Sequence, residues 1–429
     1  MDMTKEAAER AKRTSFGLAA LPLAIRNEGL ARIAEELEGQ KAEIISANDQ
    51  DMEEARRHNL APPLLKRLRY DTAKLEESMQ QVRSLIAQED PIGKVLSSTE
   101  LDQDLVLEKV SCPIGVIGIV FESRPDALVQ ISTLCLKSGN AVLLKGGSEA
   151  KRTNEALVKT INEAIIQVDP RFEGSVQLLS TREEFRSLLA LDGLVDLIIP
   201  RGSNELVRSI QDSTKIPVLG HAAGVCHTYV HDDADIELAL KVCYDAKVQY
   251  PAVCNAMETL LVNEKVARAF LPLMATKYKV AKVEMRGDKL TRGIIKAKEA
   301  MERDWGTEYN DLILSIKIVS SMEEAIEHIN RYGSHHTDAI ITRSKGAADR
   351  FMGSVDSASV MWNCSTRFAD GFRYGLGAEV GISTNKTHAR GPVGLEGLTI
   401  YKWKLRGNGH IVADYVGKGA REFTHRKLL

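Results

Sequence analysis

A regular alternation of short apolar runs with helical segments is the sequence feature that most constrains this fold. It begins near residue 114 and continues to residue 362. Apolar runs of this length, each followed by a helical segment, are typical of βαβ units in a parallel sheet that helices cover on both faces. In the first half of the chain the predicted strands are 114–120, 141–144, 176–179 and 195–199.

A second series of predicted elements follows after residue 230. It contains helices at 234–246, 264–275, 321–331 and 345–353, and strands at 258–262, 312–319, 338–342 and 358–362. The chain before residue 90 is different. Apolar residues such as Leu30, Ile33 and Leu37 recur there every three or four positions, and this spacing predicts helices. We therefore expect two tandem α/β domains, preceded by a helical region.

Composition excludes several classes of protein. The 57 Lys and Arg residues nearly balance 59 Asp and Glu residues, which argues against a protein built around nucleic acid or an anionic membrane surface. Aromatic residues make up only 5% of the chain, too few for base-stacking platforms. The N-terminal stretch is polar and lacks an apolar signal segment. We expect a cytoplasmic protein that contacts neither nucleic acid nor membranes.

Common cofactor and metal motifs are absent from the sequence. There is no G-x-x-x-x-G-K-[ST] and no G-x-G-x-x-G, so the usual nucleotide fingerprints fail. The six cysteines contain no C-x-x-C pair. The pair His335 and His336 has no carboxylate or cysteine at ligand spacing, so the sequence predicts no metal site.

Two loops that follow predicted strands carry residues suited to anion binding. Glycines let the backbone approach a phosphate, the N-terminus of the following helix favours an anion, and a lysine adds positive charge. Either loop by itself is equally consistent with ordinary turn and capping chemistry, but two in successive βα units favour a dinucleotide site. The candidate residues are Lys145, Gly146, Gly147, Ser148, Gly202 and Ser203.

Cys254 is the cysteine whose position best suits catalysis. It follows Pro251 in a segment with polar neighbours, directly before the predicted strand 258–262. A nucleophilic cysteine needs partial exposure, which such a loop provides. A structural role for a cysteine in this loop stays open at this stage. Four other cysteines lie in apolar patterns and are interpreted as small core residues: Cys112, Cys135, Cys226 and Cys243.

A set of motifs that spans the chain identifies a family. In chain order they are 121–125 (FESRP), 144–150 (LKGGSEA), 199–203 (IPRGS), 251–256 (PAVCNA), 304–305 (DW), 336–340 (HTDAI), 375–381 (GLGAEVG) and 388–399 (HARGPVGLEGLT). With these motifs the chain closely resembles the gamma-glutamyl phosphate reductases, a family within the aldehyde dehydrogenase superfamily. The set is far more specific than any one of its members.

The resemblance implies an aldehyde dehydrogenase-like fold of two Rossmann-like, doubly wound α/β domains with a small β hairpin and tail for oligomerisation. Residues 1–98 and 113–225 would form the NADPH-binding domain, and 226–397 the catalytic domain. Residues 99–112 and 398–429 would form the oligomerisation element. In the superfamily, hairpin and tail pair across subunits, so we expect a homodimer or a higher homo-oligomer.

The resemblance also implies an activity. It is the NADPH-dependent reduction of L-glutamyl 5-phosphate to L-glutamate 5-semialdehyde and phosphate, the second step of proline biosynthesis from glutamate. Cys254 would be the nucleophile that forms a thioester, and Lys145 would contact the adenosine ribose or its 2′-phosphate. Gly202 and Ser203 would carry the pyrophosphate. A transient contact with glutamate 5-kinase, which makes the labile substrate, is a further expectation.

Other site residues are less determined. The backbone N–H of Cys254, together with Ser123 or Asn255, would donate to the oxyanion. Cations for the substrate's carboxylate and phosphate are expected among Arg124, Arg367 and Arg390. Ala223 stands where the family usually has an acidic residue. The role of that position, or its neutrality, is open.

Two alternative functions remain at the level of sequence. Oxidising aldehyde dehydrogenases activate water with a glutamate upstream of the cysteine, but the stretch 220–227 here has no carboxylate, which weighs against that reading. The other alternative is a catalytically inactive homologue that serves as a binding subunit. Retention of Cys254, Lys145 and both glycine loops argues against it. An assay with NADP⁺, semialdehyde and phosphate discriminates among the three.

Overall fold

The helical region before residue 90 packs around the first α/β unit, with its first helix against the strands of the sheet and most of the others against the helices of that unit. In this computed structural model, residues 3–122, 124–220 and 223–429 are described. Apolar residues from these helices, such as Leu30 and Leu75, are fully buried in the core around the first sheet, as the helical spacing predicted. The helices are α1 (Met3–Leu18), α2 (Leu23–Gly39), α3 (Lys41–Arg57), α4 (Pro62–Leu68) and α5 (Thr72–Ile86).

A β-hairpin follows these helices. Strands β1 (Val95–Asp102) and β2 (Leu105–Pro113) pair antiparallel, with Asp102 opposite Leu105 across a tight turn. Asp104 in this turn has a φ of 60°, a left-handed conformation that Asp tolerates better than most residues.

The first parallel sheet has the strand order β5-β4-β3-β6. All of its strands were predicted, with boundaries within about two residues, because they are apolar on both faces. Pro125 begins α6, where its fixed φ suits the first helical turn. The elements are β3 (Val116–Phe121), α6 (Pro125–Lys137), β4 (Ala141–Lys145), α7 (Lys151–Val168), β5 (Val176–Leu178), α8 (Arg182–Leu188), β6 (Leu197–Arg201) and α9 (Asn204–Ser213).

The second parallel sheet has seven strands in the order β10-β9-β11-β8-β7-β12-β13. Four of them were predicted; β7 and the two short strands β9 and β10 were missed. The elements are β7 (Cys226–Val230), α10 (Ile236–Val248), β8 (Met257–Asn263), α11 (Glu264–Val280), β9 (Glu284–Gly287), α12 (Lys289–Arg292), β10 (Lys298–Glu299), β11 (Ile313–Val319), α13 (Met322–Tyr332), β12 (Thr337–Ile341), α14 (Lys345–Ser354) and β13 (Ser359–Trp362). Two α/β units in tandem are therefore confirmed. None of the helices in the described ranges is long and apolar enough to span a bilayer.

The segment after β13 returns to the first unit. It contains the short strands β14 (Ile382–Ser383) and β15 (Gly391–Pro392). Val380, Val393 and Leu398 are buried in the core around the first sheet, although the expected division places the first two in the second domain and Leu398 in the oligomerisation element. They pack there because the chain after β13 must pass the first unit to reach the hairpin. The apolar side chains of this segment are buried against that unit.

The C-terminal tail extends the hairpin into a four-stranded antiparallel sheet. Strand β16 (Thr399–Arg406) pairs with β2 of its own chain over its full length, and β17 (Arg426–Lys427) pairs with β1. The tail thus pairs with the hairpin of its own chain, where the sequence predicted pairing with the hairpin of a second chain. Residue Leu398 already lies beside the hairpin, where its carbonyl accepts a hydrogen bond from Asn140 Nδ2, so the chain delivers β16 directly to the open edge of β2.

Candidate active site

Cys254 lies in an irregular segment, 251–256, that precedes β8. It is partly exposed, whereas Cys135, Cys226 and Cys243 are buried. The interpretation of Cys112 as a core residue was wrong, because Cys112 lies on the hairpin strand β2 and is partly exposed. Burial raises the thiol pKa of those three cysteines and also of Cys112 and Cys364, which disfavours their thiolates. Position and exposure together make Cys254 the nucleophile candidate, as the sequence indicated.

Three hydrogen bonds hold the segment that carries Cys254. The backbone N–H of Ala256 donates to the Val253 carbonyl at 2.9 Å, and the Cys226 thiol donates to the Cys254 carbonyl at 3.1 Å. The side-chain amide of Asn255 donates to the Ala369 carbonyl at 2.8 Å. These contacts tie the segment to β7 and to the loop after β13.

Gly224 allows the chain just before β7 to pack directly against the backbone of Cys254. A Cβ built on Gly224 would lie 2.2 Å from the Cys254 carbonyl oxygen and 2.5 Å from its Cα. Since both are backbone atoms, no side-chain movement could relieve the clash. The glycine at 224 is therefore part of the cysteine site, a role that the sequence analysis did not assign.

Two backbone N–H groups are left available at the nucleophile. Among the described residues, the N–H groups of Cys254 and Asn255 donate no hydrogen bond. Each N–H points opposite to the preceding carbonyl because a trans peptide is planar, so the bonds to the Val253 and Cys254 carbonyls fix their directions. The Asn255 side chain is already engaged, so its backbone N–H is the better oxyanion donor. Ser123, the other oxyanion candidate, lies outside the described residues.

Two arginines surround the cysteine without a carboxylate partner. Arg201, at the end of β6, donates from Nη1 to the Glu379 carbonyl at 3.2 Å, and Arg367 donates from Nε to Gln249 Oε1 at 3.0 Å. Neither forms an ion pair with a described residue. Burial lowers the pKa of both guanidinium groups, and the negative charge of a Cys254 thiolate opposes that effect at each of them. Both guanidinium groups are therefore close enough to Cys254 for its charge to affect them.

The other predicted arginines are already paired. Arg124 forms an ion pair with Asp126 at 3.3 Å, and Arg390 forms one with Asp356 at 3.0 Å. Arg124 stays near the site, because its charge lowers the pKa of Arg201. Of the three cations predicted for substrate, Arg367 is the one that lies near Cys254 and forms no ion pair with a described residue. Arg201 was missed, although it stands in the quoted motif 199–203.

A cavity of about 900 Å³ opens at the carboxyl ends of the first sheet's strands. This is the edge of a parallel sheet where ligands bind in open α/β folds. Four of the six predicted cofactor residues line it. The residues that line it include Leu64, Glu122, Lys145, Gly146, Gly147, Ser148, Glu149, Arg182, Phe185, Arg186 and Leu206.

The glycines of this cavity stand at positions where a side chain would clash with neighbouring residues. A Cβ on Gly146 would lie 2.2 Å from Asn154 Nδ2, a buried side chain, so no larger residue fits there. Lys145 is 8% exposed and its ammonium donates to the Gly146 carbonyl. Burial lowers the pKa of Lys145, while the carboxylate of Glu149 opposes the shift.

Gly202 and Ser203 form the turn after β6. Ser203 caps α9 by accepting a hydrogen bond from the Leu206 N–H at 3.4 Å. A Cβ on Gly202 would lie 2.7 Å from Leu206 and 2.9 Å from Glu122, two residues that line the cavity. The turn thus borders the cavity at the N-terminus of α9, where an anion is favoured.

Two cations of this cavity were not predicted. Arg182 and Arg186 occupy successive turns of α8 and both line the cavity. A sequence signal was available: Thr181 and Glu184 form a capping box, which places the start of α8 directly after β5. Arg182 therefore stands at the same sheet edge as Lys145, whose pKa its charge lowers.

Comparisons with known proteins agree with this geometry. Residues 2–303 match the aldehyde dehydrogenase family. The chain is 57% identical to a gamma-glutamyl phosphate reductase of Pelotomaculum thermopropionicum, over 100% of this chain and 98% of the relative. A crystal structure of gamma-glutamyl phosphate reductase from Thermotoga maritima superimposes with a TM-score of 0.93 at 39% identity, covering 95% of this chain and 99% of the other. At 18% identity, a glyceraldehyde-3-phosphate dehydrogenase from Methanocaldococcus jannaschii complexed with NADP shares the fold, with a TM-score of 0.65 over 94% of both chains.

Proposed function

The chain belongs to the aldehyde dehydrogenase family, with high identity to gamma-glutamyl phosphate reductases over its whole length, and on that premise we propose how its residues act. The reaction is the NADPH-dependent reduction of L-glutamyl 5-phosphate to L-glutamate 5-semialdehyde and phosphate, the second step of proline biosynthesis from glutamate. The observation that carries the proposal is a partly exposed cysteine, on an anchored segment, beside two arginines without carboxylate partners.

The first step is acyl transfer to the cysteine. The thiolate of Cys254 attacks the 5-carbonyl carbon, and the carbonyl electrons move to its oxygen. When the carbonyl re-forms, the bond between carbon and the phosphate oxygen breaks, and phosphate leaves with that electron pair. A thioester on Cys254 remains, and the arginine charges stabilise both the thiolate and the departing anion.

The oxyanion is held by backbone groups. The N–H groups of Cys254 and Asn255 are oriented by hydrogen bonds on the neighbouring carbonyls, so they need not reorganise when charge develops. Preorganised donors of this kind are the largest electrostatic contribution in many acyl-transfer enzymes. Ser123 remains a candidate for a third donor.

The cavity at the first sheet fits a nicotinamide dinucleotide. Its size, its glycine-lined floor and its cations suit a pyrophosphate and a phosphorylated ribose, and Leu64, Phe185 and Leu206 offer apolar surface for the adenine. Bound there, the cofactor would supply the hydride that reduces the thioester carbon. The Cys254 and Asn255 N–H groups would hold the resulting oxyanion until the carbon–sulfur bond breaks, which releases the aldehyde and regenerates the thiolate.

NADPH is the expected dinucleotide because the cavity is rich in positive charge. Lys145, Arg182 and Arg186 supply three cations, against the two carboxylates of Glu122 and Glu149. A 2′-phosphate is dianionic near neutral pH and is recognised by such clusters. NADH, which lacks that phosphate, gains nothing from them.

The absence of a water-activating carboxylate favours this reaction over aldehyde oxidation. The stretch 220–227 before β7 contains no Asp or Glu. An acyl-enzyme that must react with hydride or phosphate is protected from hydrolysis when no base activates water beside it. Ala223, where the family resemblance implies an acidic residue, directly precedes Gly224, which packs against the Cys254 backbone.

The reverse reaction tests the function directly. Protein is mixed with NADP⁺ and L-glutamate 5-semialdehyde, with and without inorganic phosphate, and NADPH is followed by absorbance. Formation that requires phosphate supports the proposal. Formation without phosphate would show a non-phosphorylating aldehyde dehydrogenase, and no formation under either condition would show an inactive homologue.

The exposed edge of the C-terminal tail favours assembly with a second copy of the chain. Strand β16 exposes Ile400, Trp403 and Leu405, and exposed apolar edge strands are usually covered by a partner. We expect this face to be buried in a homodimer or larger homo-oligomer. A cytoplasmic location and a transient contact with glutamate 5-kinase follow from the pathway, since the acyl phosphate is labile.

A further inference from the structure

We propose that the two unpaired arginines divide the substrate between them: Arg201 binds its phosphate, and Arg367 binds the α-carboxylate at its amino-acid end. This assignment rests on the proposed function and adds a subsite to each end of the acyl phosphate. Its physical basis is that a partly buried guanidinium without a carboxylate partner is costly unless an anionic ligand completes it.

Arg201 stands on the cofactor side of the site. It is the last residue of β6 and lies opposite Phe121 at the end of β3, directly before the Gly202 turn. One hydrogen bond, from Nη1 to the Glu379 carbonyl, orients the guanidinium. That bond leaves most of its five N–H donors for a ligand, enough for the paired contacts that Arg makes with phosphate.

The surroundings of Arg201 also suit a dianion. Arg124, at the start of α6, is near enough that its charge lowers the pKa of Arg201. The carboxylates of Asp126 and Glu379 lie in the same region, but Asp126 is paired with Arg124, and the Glu379 carboxylate accepts from the Gly371 N–H at 2.9 Å. Of the two guanidinium groups on the cofactor side of the site, Arg201 is thus the one that has no ion pair with a described residue and can bind phosphate.

Arg367 is joined to the cysteine segment itself. It lies two residues before Ala369, whose carbonyl accepts the hydrogen bond from Asn255 beside the nucleophile. The Arg367 side chain is buried, and Gln249, which immediately follows α10, orients its guanidinium through Nε. A group bound by Arg367 is therefore held at a constant position relative to the Cys254 sulfur.

The environment of Arg367 matches an amino acid. Arg373, whose charge lowers the pKa of Arg367, is paired with Asp370 at 3.3 Å, whereas the carboxylate of Asp245 raises that pKa and forms no ion pair with a described residue. Arg367 can therefore hold an α-carboxylate while Asp245 receives the α-ammonium. Near Arg201 both carboxylates are engaged, Asp126 by Arg124 and Glu379 by the Gly371 N–H.

The order of the chemical steps indicates which end of the substrate each arginine binds. The amino-acid end stays on the enzyme from thioester formation to release, so its anchor should move with Cys254, as Arg367 does. Phosphate leaves after the first step, so its cation can come from the facing edge of the first sheet. That edge carries Arg201.

Kinetics in the reverse direction separate the two subsites. KM for inorganic phosphate and KM for the semialdehyde are measured with NADP⁺ for wild type, Arg201→Gln, Arg201→Lys and Arg367→Gln. Loss of a charged hydrogen bond weakens binding roughly 10- to 100-fold. We expect Arg201→Gln to raise the phosphate KM by that factor while changing the semialdehyde KM less than about 3-fold, and Arg367→Gln to do the opposite. Arg201→Lys should recover part of the phosphate affinity.

Controls keep the result interpretable. Arg343→Gln removes an exposed arginine paired with Asp235 and should leave both KM values unchanged. Phosphate binding to Cys254→Ala proteins with each arginine change is measured by calorimetry, so an inactive variant still gives an answer. An unchanged phosphate affinity in Arg201→Gln, or an equal effect on both substrates, overturns the assignment. NADPH formation by wild type without phosphate would instead overturn the function on which it rests.

Discussion

The thiol of Cys226 donates a hydrogen bond to the backbone carbonyl of Cys254, with 3.1 Å between sulfur and oxygen. Cys226 begins β7 and is fully buried, and burial keeps its pKa well above the usual range, so it remains a protonated donor. Because the carbonyl of Cys254 and the N–H of Asn255 belong to one planar peptide, this bond sets the direction of the proposed oxyanion donor.

Cys226→Ala is therefore expected to lower kcat roughly 2- to 10-fold, the range of one hydrogen bond's contribution. Cys226→Ser keeps a donor and should retain more activity. Alkylation of Cys254 by iodoacetamide, which needs no oxyanion donor, should be nearly unchanged in both variants. Cys243→Ala, which removes a buried thiol from α10, serves as the control. Equal losses in kcat and alkylation rate for Cys226→Ala would instead indicate a disordered segment.

Cys254→Ala should abolish turnover and leave NADPH binding and thermal stability near wild type, because the residue is partly exposed and contributes little to the core. Steady-state kinetics and cofactor fluorescence measure the two effects. Cys364→Ala, another partly exposed thiol, should stay active. Covalent catalysis would be wrong if Cys254→Ala kept more than about a hundredth of the wild-type kcat, a loss of only about 3 kcal/mol in transition-state stabilisation.

Lys145→Ala and Arg182→Ala should weaken NADPH binding about 10-fold or more and NADH binding much less, because both cations face the cavity where a 2′-phosphate would lie. Dissociation constants for the two cofactors, measured by fluorescence titration, give the selectivity directly. Lys151→Ala, which removes an exposed cation at the start of α7, should change neither constant. If NADPH and NADH weaken equally in both variants, these residues do not recognise the 2′-phosphate.

His328 should make the protein less stable in mild acid. It is 3% exposed, neither ring nitrogen has a hydrogen-bond partner among the described residues, and burial lowers its pKa to about 2, with the charges of His227, Lys317 and Arg331 acting in the same direction. The unfolded chain therefore binds a proton below about pH 6.5 that the folded protein excludes. Stability from this group is complete above that pH and is lost as the pH falls.

Between pH 7 and pH 5 the expected loss from His328 is about 2 kcal/mol in the free energy of unfolding. Urea unfolding at both pH values measures it. His328→Gln removes the titrating group and should flatten the pH dependence by that amount, whatever its effect on stability at pH 7. An identical pH dependence in wild type and His328→Gln would contradict this assignment.

Truncation after Gly397 should expose the edge of β2, because it removes the strand β16 that pairs with β2 along its whole length. We expect aggregation, or a monomer of reduced activity, by light scattering and gel filtration. Truncation after Gly417, which keeps β16 and removes β17, should preserve the assembly. A full-length protein that is monomeric at micromolar concentration would rule out the proposed homo-oligomer.

Most of the strands and helices could be predicted because their residues carry a local pattern. Strands β3 and β4 are apolar on both faces, β8 carries the apolar run 260–262, and α2 repeats its apolar residues at helical spacing. Strand β7 was missed because His227 and Thr228 interrupt its apolar character. Both are nonetheless buried, and His227 Nδ1 lies 2.8 Å from the Asp338 carboxylate, a partner 111 residues away that no local window contains.

The amino-acid sequence by itself determined the class of fold, the cysteine that acts as nucleophile candidate and the glycine turns of the cofactor cavity, because each depends on residue type within a short stretch. The tertiary structure decided what depends on distant partners. It paired Arg124 and Arg390 with carboxylates and left Arg201 and Arg367 without them. It also placed the Cys226 thiol under the cysteine segment and joined β16 to the hairpin of its own chain. Charge compensation and strand pairing follow from which surfaces the folded chain brings into contact, and residues far apart in sequence decide both.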